Sequence, residues 1–145
     1  MQQTWLYITL HKFLAHTPFF CYNHSMDKKT QTLITDISTR SDIIWRKYNI
    51  LFPELRVFNK PAIMLNNRIY RTAGRCIVED NIVELSSRLF INNYSAMLDI
   101  ILPHEIAHQI DYNLNGLPNR WHGKSWQYIM KSFGLPADTY HTLEI

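Results

Sequence analysis

The stretch that decides the fold of this chain is HEIAH at residues 104–108, and WHGKSW follows at residues 121–126. An α-helix carries the side chains at i and i+4 on one face, so His104 and His108 can reach a single metal ion. Glu105 lies beside this pair, where its carboxylate can accept a proton from water. With seven histidines and five glutamates in 145 residues, the HExxH pattern arises by chance in about one such chain in a hundred.

An apolar run leads directly into this motif. Residues 96–102 read AMLDIIL, which predicts that the helix is buried in the core. Pro103 removes one backbone donor, so we expect the helix to kink or restart there. Two histidines and a glutamate on a buried helix need polar partners, and a metal ion supplies them.

A catalytic zinc site needs a third protein ligand, because zinc prefers four ligands and keeps one position for water. No glutamate lies between Glu105 and Glu144, and residues 111 and 114 lack the glycine and histidine of the HExxHxxGxxH pattern. The remaining downstream candidates are His122, His141, Asp111 and Asp138. We predict His122, because imidazole suits zinc better than a lone carboxylate.

Length and composition predict one domain with a single core. A chain of 145 residues buries roughly 70% of its unfolded surface. A hydrophobic content of 46% argues against disorder, and no run approaches the roughly 18 apolar residues of a membrane span. Cys21 and Cys76 are too few for a disulfide framework or a zinc ribbon. We therefore expect a soluble, cytoplasmic protein in a reducing setting, without a membrane partner.

The apolar periodicity of the first half predicts one helix and three strands. A helical repeat predicts an amphipathic helix that ends near Pro53, and its members are Leu33, Ile37, Ile44, Tyr48 and Leu51. Residues 62–65, 75–78 and 82–86 predict three short strands, with a turn at Asp80-Asn81 between the last two.

The second half predicts two further helices. The motif helix is predicted to follow from about Tyr94, with Asn93 or Ser95 as its cap, and to end at Asn115-Gly116. A last helix is predicted over residues 125–133. The pattern therefore predicts an α+β fold with an N-terminal helix, a three-stranded sheet, the motif helix and a C-terminal helix.

Residues 1–25 differ in composition from the remainder, since they contain no acid and many aromatic residues. We predict an N-terminal extension with little ordered structure, or a true start at Met26, ahead of a domain over residues 26–145. The CxxH spacing of Cys21 and His24 has no second pair to complete a metal site.

A basic stretch suggests single-stranded DNA as a partner. Residues 56–78 contain five basic residues and no acid, with Phe58 and Tyr70 interleaved. This mixture is typical of proteins that bind single-stranded DNA, although a charged sheet edge explains it as well. The candidate DNA contacts are Arg56, Lys60, Arg68, Arg71 and Arg75.

The motifs together resemble the SprT-like (Spartan-related) family of zinc metalloproteases. The resemblance covers about residues 33 to 145 and is carried by PHEIAH at 103–108, HGKSW at 122–126, TAGRC at 72–76 and IVELS at 82–86. It implies a small zincin-like domain with one catalytic Zn²⁺ on His104, His108 and His122, and with Glu105 as the catalytic base. It also implies cleavage of protein substrates, including proteins bound or crosslinked to DNA.

Further assignments around the site follow from the residues. We expect an extended substrate along an edge strand that includes residues 84–86. Asp111 is expected either to accept a hydrogen bond from His108 or to face solvent, and Trp121 and Trp126 to pack around His122. Candidates for a second donor to the oxyanion are Tyr112, Tyr128, Tyr140 and His141.

The alternative to an enzyme is a noncatalytic zinc-containing module that binds DNA or protein. A closed structural site needs a fourth protein ligand. Asp111 and His141 are the nearby candidates, and neither has an obvious spacing for that role.

Overall fold

The structure, a computed structural model, describes residues 27–138, Leu143 and the backbone of Tyr7 and Ile8. The fold is α+β, as predicted. Its elements are β1 (Tyr7–Ile8), α1 (Lys28–Leu51), β2 (Ala62–Asn66), β3 (Gly74–Ile77), β4 (Ile82–Ser86), α2 (Phe90–Ala96), α3 (Leu102–Asn115) and α4 (Lys124–Phe133). The predictions on the remainder of residues 1–26, and on Tyr140, His141 and Glu144, lie outside the described residues.

Helix α1 confirms the predicted N-terminal helix and extends it toward the N-terminus. Asp27 caps the helix, because its side chain accepts a hydrogen bond from the backbone N–H of Thr30 at 2.8 Å. Ile37, Ile44 and Tyr48 are buried and form the α1 side of the core. The first turn of α1 is polar, so the apolar repeat did not predict it.

The sheet has the order β1-β2-β4-β3. Strand β4 pairs in parallel with β2 and antiparallel with β3, and β1 adds an antiparallel partner to β2. The three predicted strands are confirmed, and the turn before β4 contains Asn81 with a φ of 55°. The prediction that residues 84–86 lie on an edge strand is wrong, because β2 and β3 occupy both sides of β4. Among the described strands, the edge beside β4 is β3.

The chain enters α3 through an irregular segment. Asn93 interrupts α2 with a non-helical backbone, and residues Met97–Ile101 form a π-helical turn. Helix α3 then begins at Leu102, so the restart expected at Pro103 is confirmed. Because Asn93 is non-helical (φ −129°, ψ 33°), a helical segment resumes at Tyr94 as predicted, although the chain is already helical from Phe90.

Helix α3 crosses the middle of the core. Its residues from Leu102 to Asp111 are all buried, and Ile106 and Ile110 have no exposed surface. Val83 and Leu85 of β4 and Trp126 of α4 belong to the same core cluster. The helix therefore packs against both the sheet and α4. None of the described helices is both long and apolar enough to cross a membrane.

Candidate metal centre

Three histidines meet where α3 approaches the start of α4. The Nε2 atom of His122 lies 3.2 Å from the Nε2 atoms of both His104 and His108. One ligand atom from each of the three residues lies within 4.8 Å of the others. The structure therefore brings together all three residues that the sequence predicted as metal ligands.

The spacing of these nitrogens fits a tetrahedral zinc ion. Two nitrogens that each lie about 2.0–2.1 Å from zinc at tetrahedral angles are about 3.3 Å apart, and the observed separation is 3.2 Å. A ring nitrogen carries either one hydrogen or one in-plane lone pair, so the Nε2 atom of His122 cannot form a good hydrogen bond to both neighbours. A shared cation accounts for both contacts, and the residues present fit the group.

The environment of His108 favours its neutral, ligating form. Burial, together with a smaller effect of the neighbouring His122, lowers the pKa of His108 to about 3. A metal ligand must be unprotonated on its ligating nitrogen. This ring is therefore ready to bind a cation at neutral pH without first losing a proton.

Trp126 forms the floor of the histidine cluster. Its ring has no exposed surface and lies 4.7 Å from the His104 ring, 4.6 Å from the His122 ring and 5.3 Å from the His108 ring, measured between centroids. A buried indole cannot stack with substrate, so the predicted packing role of Trp126 is confirmed. Trp121 is different, because it contacts His108 edge-on while 47% of its surface is exposed.

Glu105 lies beside the histidines in a nearly closed environment. Burial raises the pKa of Glu105 to about 8, because desolvation disfavours the charged carboxylate. A carboxyl group with a pKa near the working pH can both accept and donate a proton. The position and pKa of Glu105 are those of a candidate acid–base group.

Gly74 at the start of β3 makes room for Glu105. A β-carbon at Gly74 would lie 2.9 Å from Cγ and 3.1 Å from Oε1 of Glu105. Any larger residue at this position would thus force Glu105 to move. This role of Gly74 was not among the predictions from the sequence, although a glycine in a strand is a known signal of a close approach.

A cleft of about 450 Å³ opens onto the histidine cluster. Its walls are residues 71–76, Ile101 and Trp121, and its base carries Glu105 and the three histidines. Two of the predicted oxyanion donors, Tyr112 and Tyr128, lie in the part of the chain that the structure describes, and neither lines the cleft. Tyr128 is 64% exposed and packs against Phe52.

The position of Asp111 differs from both predicted alternatives. Asp111 is only 2% exposed, so it does not face solvent. Its carboxylate accepts hydrogen bonds from Asn115 Nδ2 at 2.8 Å and Ser125 Oγ at 3.1 Å. The Nδ1 atom of His108 has no hydrogen-bond partner among the described residues. The hydrogen bond to Ser125 shows that the Asp111 carboxylate faces the start of α4.

The predicted basic stretch is divided by the fold. Lys60 is held at the start of β2 by an ion pair with Asp42 of α1, and Arg75 pairs with the buried Glu84. Of the five basic residues, Arg71 and Arg75 line the cleft. Arg71 also lies 5.8 Å from the ring centroid of the exposed Tyr70.

The fold and the site define a small α+β domain with a three-histidine candidate metal centre beside a buried glutamate. The SprT-like family model matches residues 44–141, and the chain belongs to the SprT-like family. No solved structure matches the chain.

Curated proteins of the same family are similar over much of the chain. Protein SprT of Vibrio parahaemolyticus is 40% identical over 91 residues, which cover 62% of this chain and 54% of that protein. Protein SprT of Actinobacillus succinogenes is 35% identical over 62% of this chain and 52% of that protein. Protein SprT of Pseudomonas paraeruginosa is 30% identical over 75% of this chain and 65% of that protein. The matches thus span about half to two thirds of the length of these relatives.

Proposed function

We propose that this protein is a zinc-dependent endopeptidase in which His104, His108 and His122 hold the metal and Glu105 is the general base. The observation that carries the proposal is the approach of the three Nε2 atoms, with His122 at 3.2 Å from both partners, at the base of an open cleft. Membership of the SprT-like family agrees with it. Bound zinc would polarise a water molecule and the scissile carbonyl and, as a cation, would favour the ionised form of a nearby carboxyl group.

Glu105 supplies the proton transfers. Its carboxylate accepts a proton from the attacking water and then donates that proton to the leaving amine. Burial on α3, and the close approach of Gly74, limit the positions that this side chain can adopt. The group is therefore oriented before substrate binds, which reduces the entropy cost of reaction.

Strand β3 is the proposed binding edge for the substrate backbone. It pairs with β4 on one side and lines the cleft through Gly74, Arg75 and Cys76. An extended peptide can pair with such an edge through main-chain hydrogen bonds, which depend little on side-chain identity. Broad sequence selectivity is the expected result.

DNA-bound proteins are the proposed substrate class. Arg71 at the cleft and Arg68 in the same β2–β3 connection are exposed, and Tyr70 exposes 57% of its surface beside them. Cationic and aromatic side chains together bind the backbone and bases of single-stranded DNA. Contact between DNA and this rim would bring a bound protein close to Glu105.

The alternative is a noncatalytic zinc-containing module that binds DNA or protein. In the part of the chain that the structure describes, the metal cluster comprises three residues and includes no fourth ligand. A site with three protein ligands that faces a cleft favours catalysis over a closed structural role.

The test is cleavage of a histone by the zinc-loaded protein, with and without single-stranded DNA, beside Glu105→Gln. We expect cleavage by the wild type, loss of cleavage in the variant and equal zinc content in both. Stimulation by DNA would support the proposed substrate class. Equal cleavage by wild type and Glu105→Gln would refute the role of Glu105, and absence of bound zinc in the wild type would refute the metal site.

A further inference from the structure

Asp111 is a buried carboxylate that the proposed chemistry does not use. It lies on α3 one turn after His108 and is 2% exposed. Its two oxygens accept hydrogen bonds from the neutral groups of Asn115 and Ser125, and no ion pair to it is found within residues 27–138. Burial of a carboxylate without a cation is unfavourable, so the hydrogen bonds that it makes must compensate for the lost hydration.

The two hydrogen bonds reach different parts of the fold. Asn115 lies on α3, four residues after Asp111, so that bond stays within one helix. Ser125 lies in the first turn of α4, three residues after His122. Its bond to Asp111 therefore connects the helix that carries two of the histidines to the segment that carries the third.

Two further hydrogen bonds of the His122 segment stay within the segment or reach α4. Gln127 donates to the His122 carbonyl at 3.1 Å, and the N–H of Gly123 donates to the Arg120 carbonyl at 3.0 Å. These bonds shape the segment but do not set its distance from α3. Helix α4 has no side-chain cap on its first turn, and an anion near a helix N-terminus is favourable. Asp111 thus stabilises the same end of α4 that presents His122.

We propose that Asp111 is a positioning residue for the metal, and that its carboxylate acts through Ser125 to hold His122 against His104 and His108. The proposal rests on the proposed function to the extent that the three histidines bind zinc, and it does not require peptidase activity. Removal of the Asp111–Ser125 bond lets the start of α4 move away from α3. Zinc affinity then falls, because binding must first bring the third ligand back into place.

The experiment compares two variants that each delete one hydrogen bond to the same carboxylate. Ser125→Ala removes the bond to α4, and Asn115→Ala is the matched control that removes the bond within α3. Zinc affinity is measured by competition with a chromophoric chelator, and stability by urea unfolding of the zinc-free proteins. We expect about a tenfold loss of affinity in Ser125→Ala, the effect of one hydrogen bond to a charged group, and less than about a twofold loss in Asn115→Ala. Ser125→Thr keeps the hydroxyl and is expected to retain most of the affinity.

The outcomes separate this inference from the proposed function. Equal zinc affinity in wild type and Ser125→Ala would overturn the positioning role while leaving the metal site intact. A similar loss in both alanine variants would also overturn it, because the carboxylate would then act only through general stability. A wild-type protein that fails to bind zinc would instead refute the proposed metal site itself. Loss of affinity in Ser125→Ala alone, with both zinc-free variants equally stable, supports the proposal.

Discussion

The close approach of Gly74 to Glu105 leads to a sharp prediction for Gly74→Ala. The added β-carbon would lie 2.9 Å from Glu105 Cγ and 3.1 Å from the Glu84 carbonyl oxygen. The Glu84 oxygen belongs to β4, which pairs with β3 so that Gly74 is opposite Leu85. Since the sheet backbone is held by these hydrogen bonds, the Glu105 side chain is the group that must move.

The size of the movement follows from the contact distance. Carbon atoms in favourable contact are about 3.5–4.0 Å apart, so a contact of 2.9 Å requires Glu105 to withdraw by about 0.6–1.1 Å. A misplacement of about 1 Å costs on the order of a hundredfold in rate. We therefore expect kcat/KM to fall about a hundredfold, which corresponds to about 2.7 kcal/mol of transition-state stabilisation.

The assay measures histone cleavage and zinc content for wild type, Gly74→Ala, Glu105→Gln and the double variant. The β-carbon of Gly74→Ala acts on Glu105, so zinc content should remain at the wild-type level. In the Glu105→Gln background the same substitution should add little further loss, because the affected group no longer transfers protons. A Gly74→Ala protein with unchanged kcat/KM, or with zinc lost in parallel with activity, would refute this reasoning.

Three further predictions concern Glu105, the tryptophans and the basic rim. Burial raises the pKa of Glu105 from 4.5 to about 8 in the metal-free protein. The neutral carboxyl group, which burial favours, therefore contributes fully to folding stability below pH 4.5, and this contribution is lost as the pH rises to 8. Between pH 6.5 and 8 the metal-free wild type should lose roughly 2 kcal/mol of unfolding free energy relative to Glu105→Gln. The same pH dependence of the unfolding free energy in both proteins, measured with urea, would contradict this. Trp126→Ala should lower the unfolding free energy, measured with urea, by about 3–5 kcal/mol. Trp121 is half-exposed, so Trp121→Ala should lower it by less than about 1 kcal/mol. Equal losses would contradict the packing role of Trp126 beneath the histidines. Arg71→Ala should weaken the binding of single-stranded DNA, measured by fluorescence anisotropy, and reduce the slope of log affinity against log salt concentration by about 0.7. Lys60→Ala should bind DNA as the wild type does. Weaker binding by Lys60→Ala and unchanged binding by Arg71→Ala would place the DNA interface away from the cleft.

The metal helix and most elements were predictable from local patterns. The interval between His104 and His108 places both on one helix face through covalent geometry alone. Apolar periodicity in the same way predicted α1, β2, β3, β4 and α4, since burial of one face is a local requirement of each element. Element ends were less accurate, as at α1, because the cap at Asp27 is polar and lies outside the apolar repeat.

The place of His122 in the histidine cluster was predictable for a chemical reason. Imidazole is a better zinc ligand than the carboxylates downstream, and elimination left few candidates. The sequence could not show how His122 is held, because Ser125 and Asp111 are fourteen residues apart and meet only when α4 packs against α3. The prediction for the Asp111 side chain was wrong for the same reason.

The order of the strands and the grouping of charges were decided by tertiary structure. Residues 84–86 read as an edge strand, yet β2 pairs in parallel with β4 and leaves β3 beside the cleft. Five basic residues that are close in sequence became separate groups, because Lys60 reaches Asp42 on α1 while Arg71 lies at the cleft. The sequence by itself determined the local elements and the chemistry of the ligands, since both depend on residue type and short-range spacing. Only packing between distant segments decided which edge faces the histidine cluster, which charges remain at the cleft and how much room Glu105 has, because these depend on contacts that no local pattern contains.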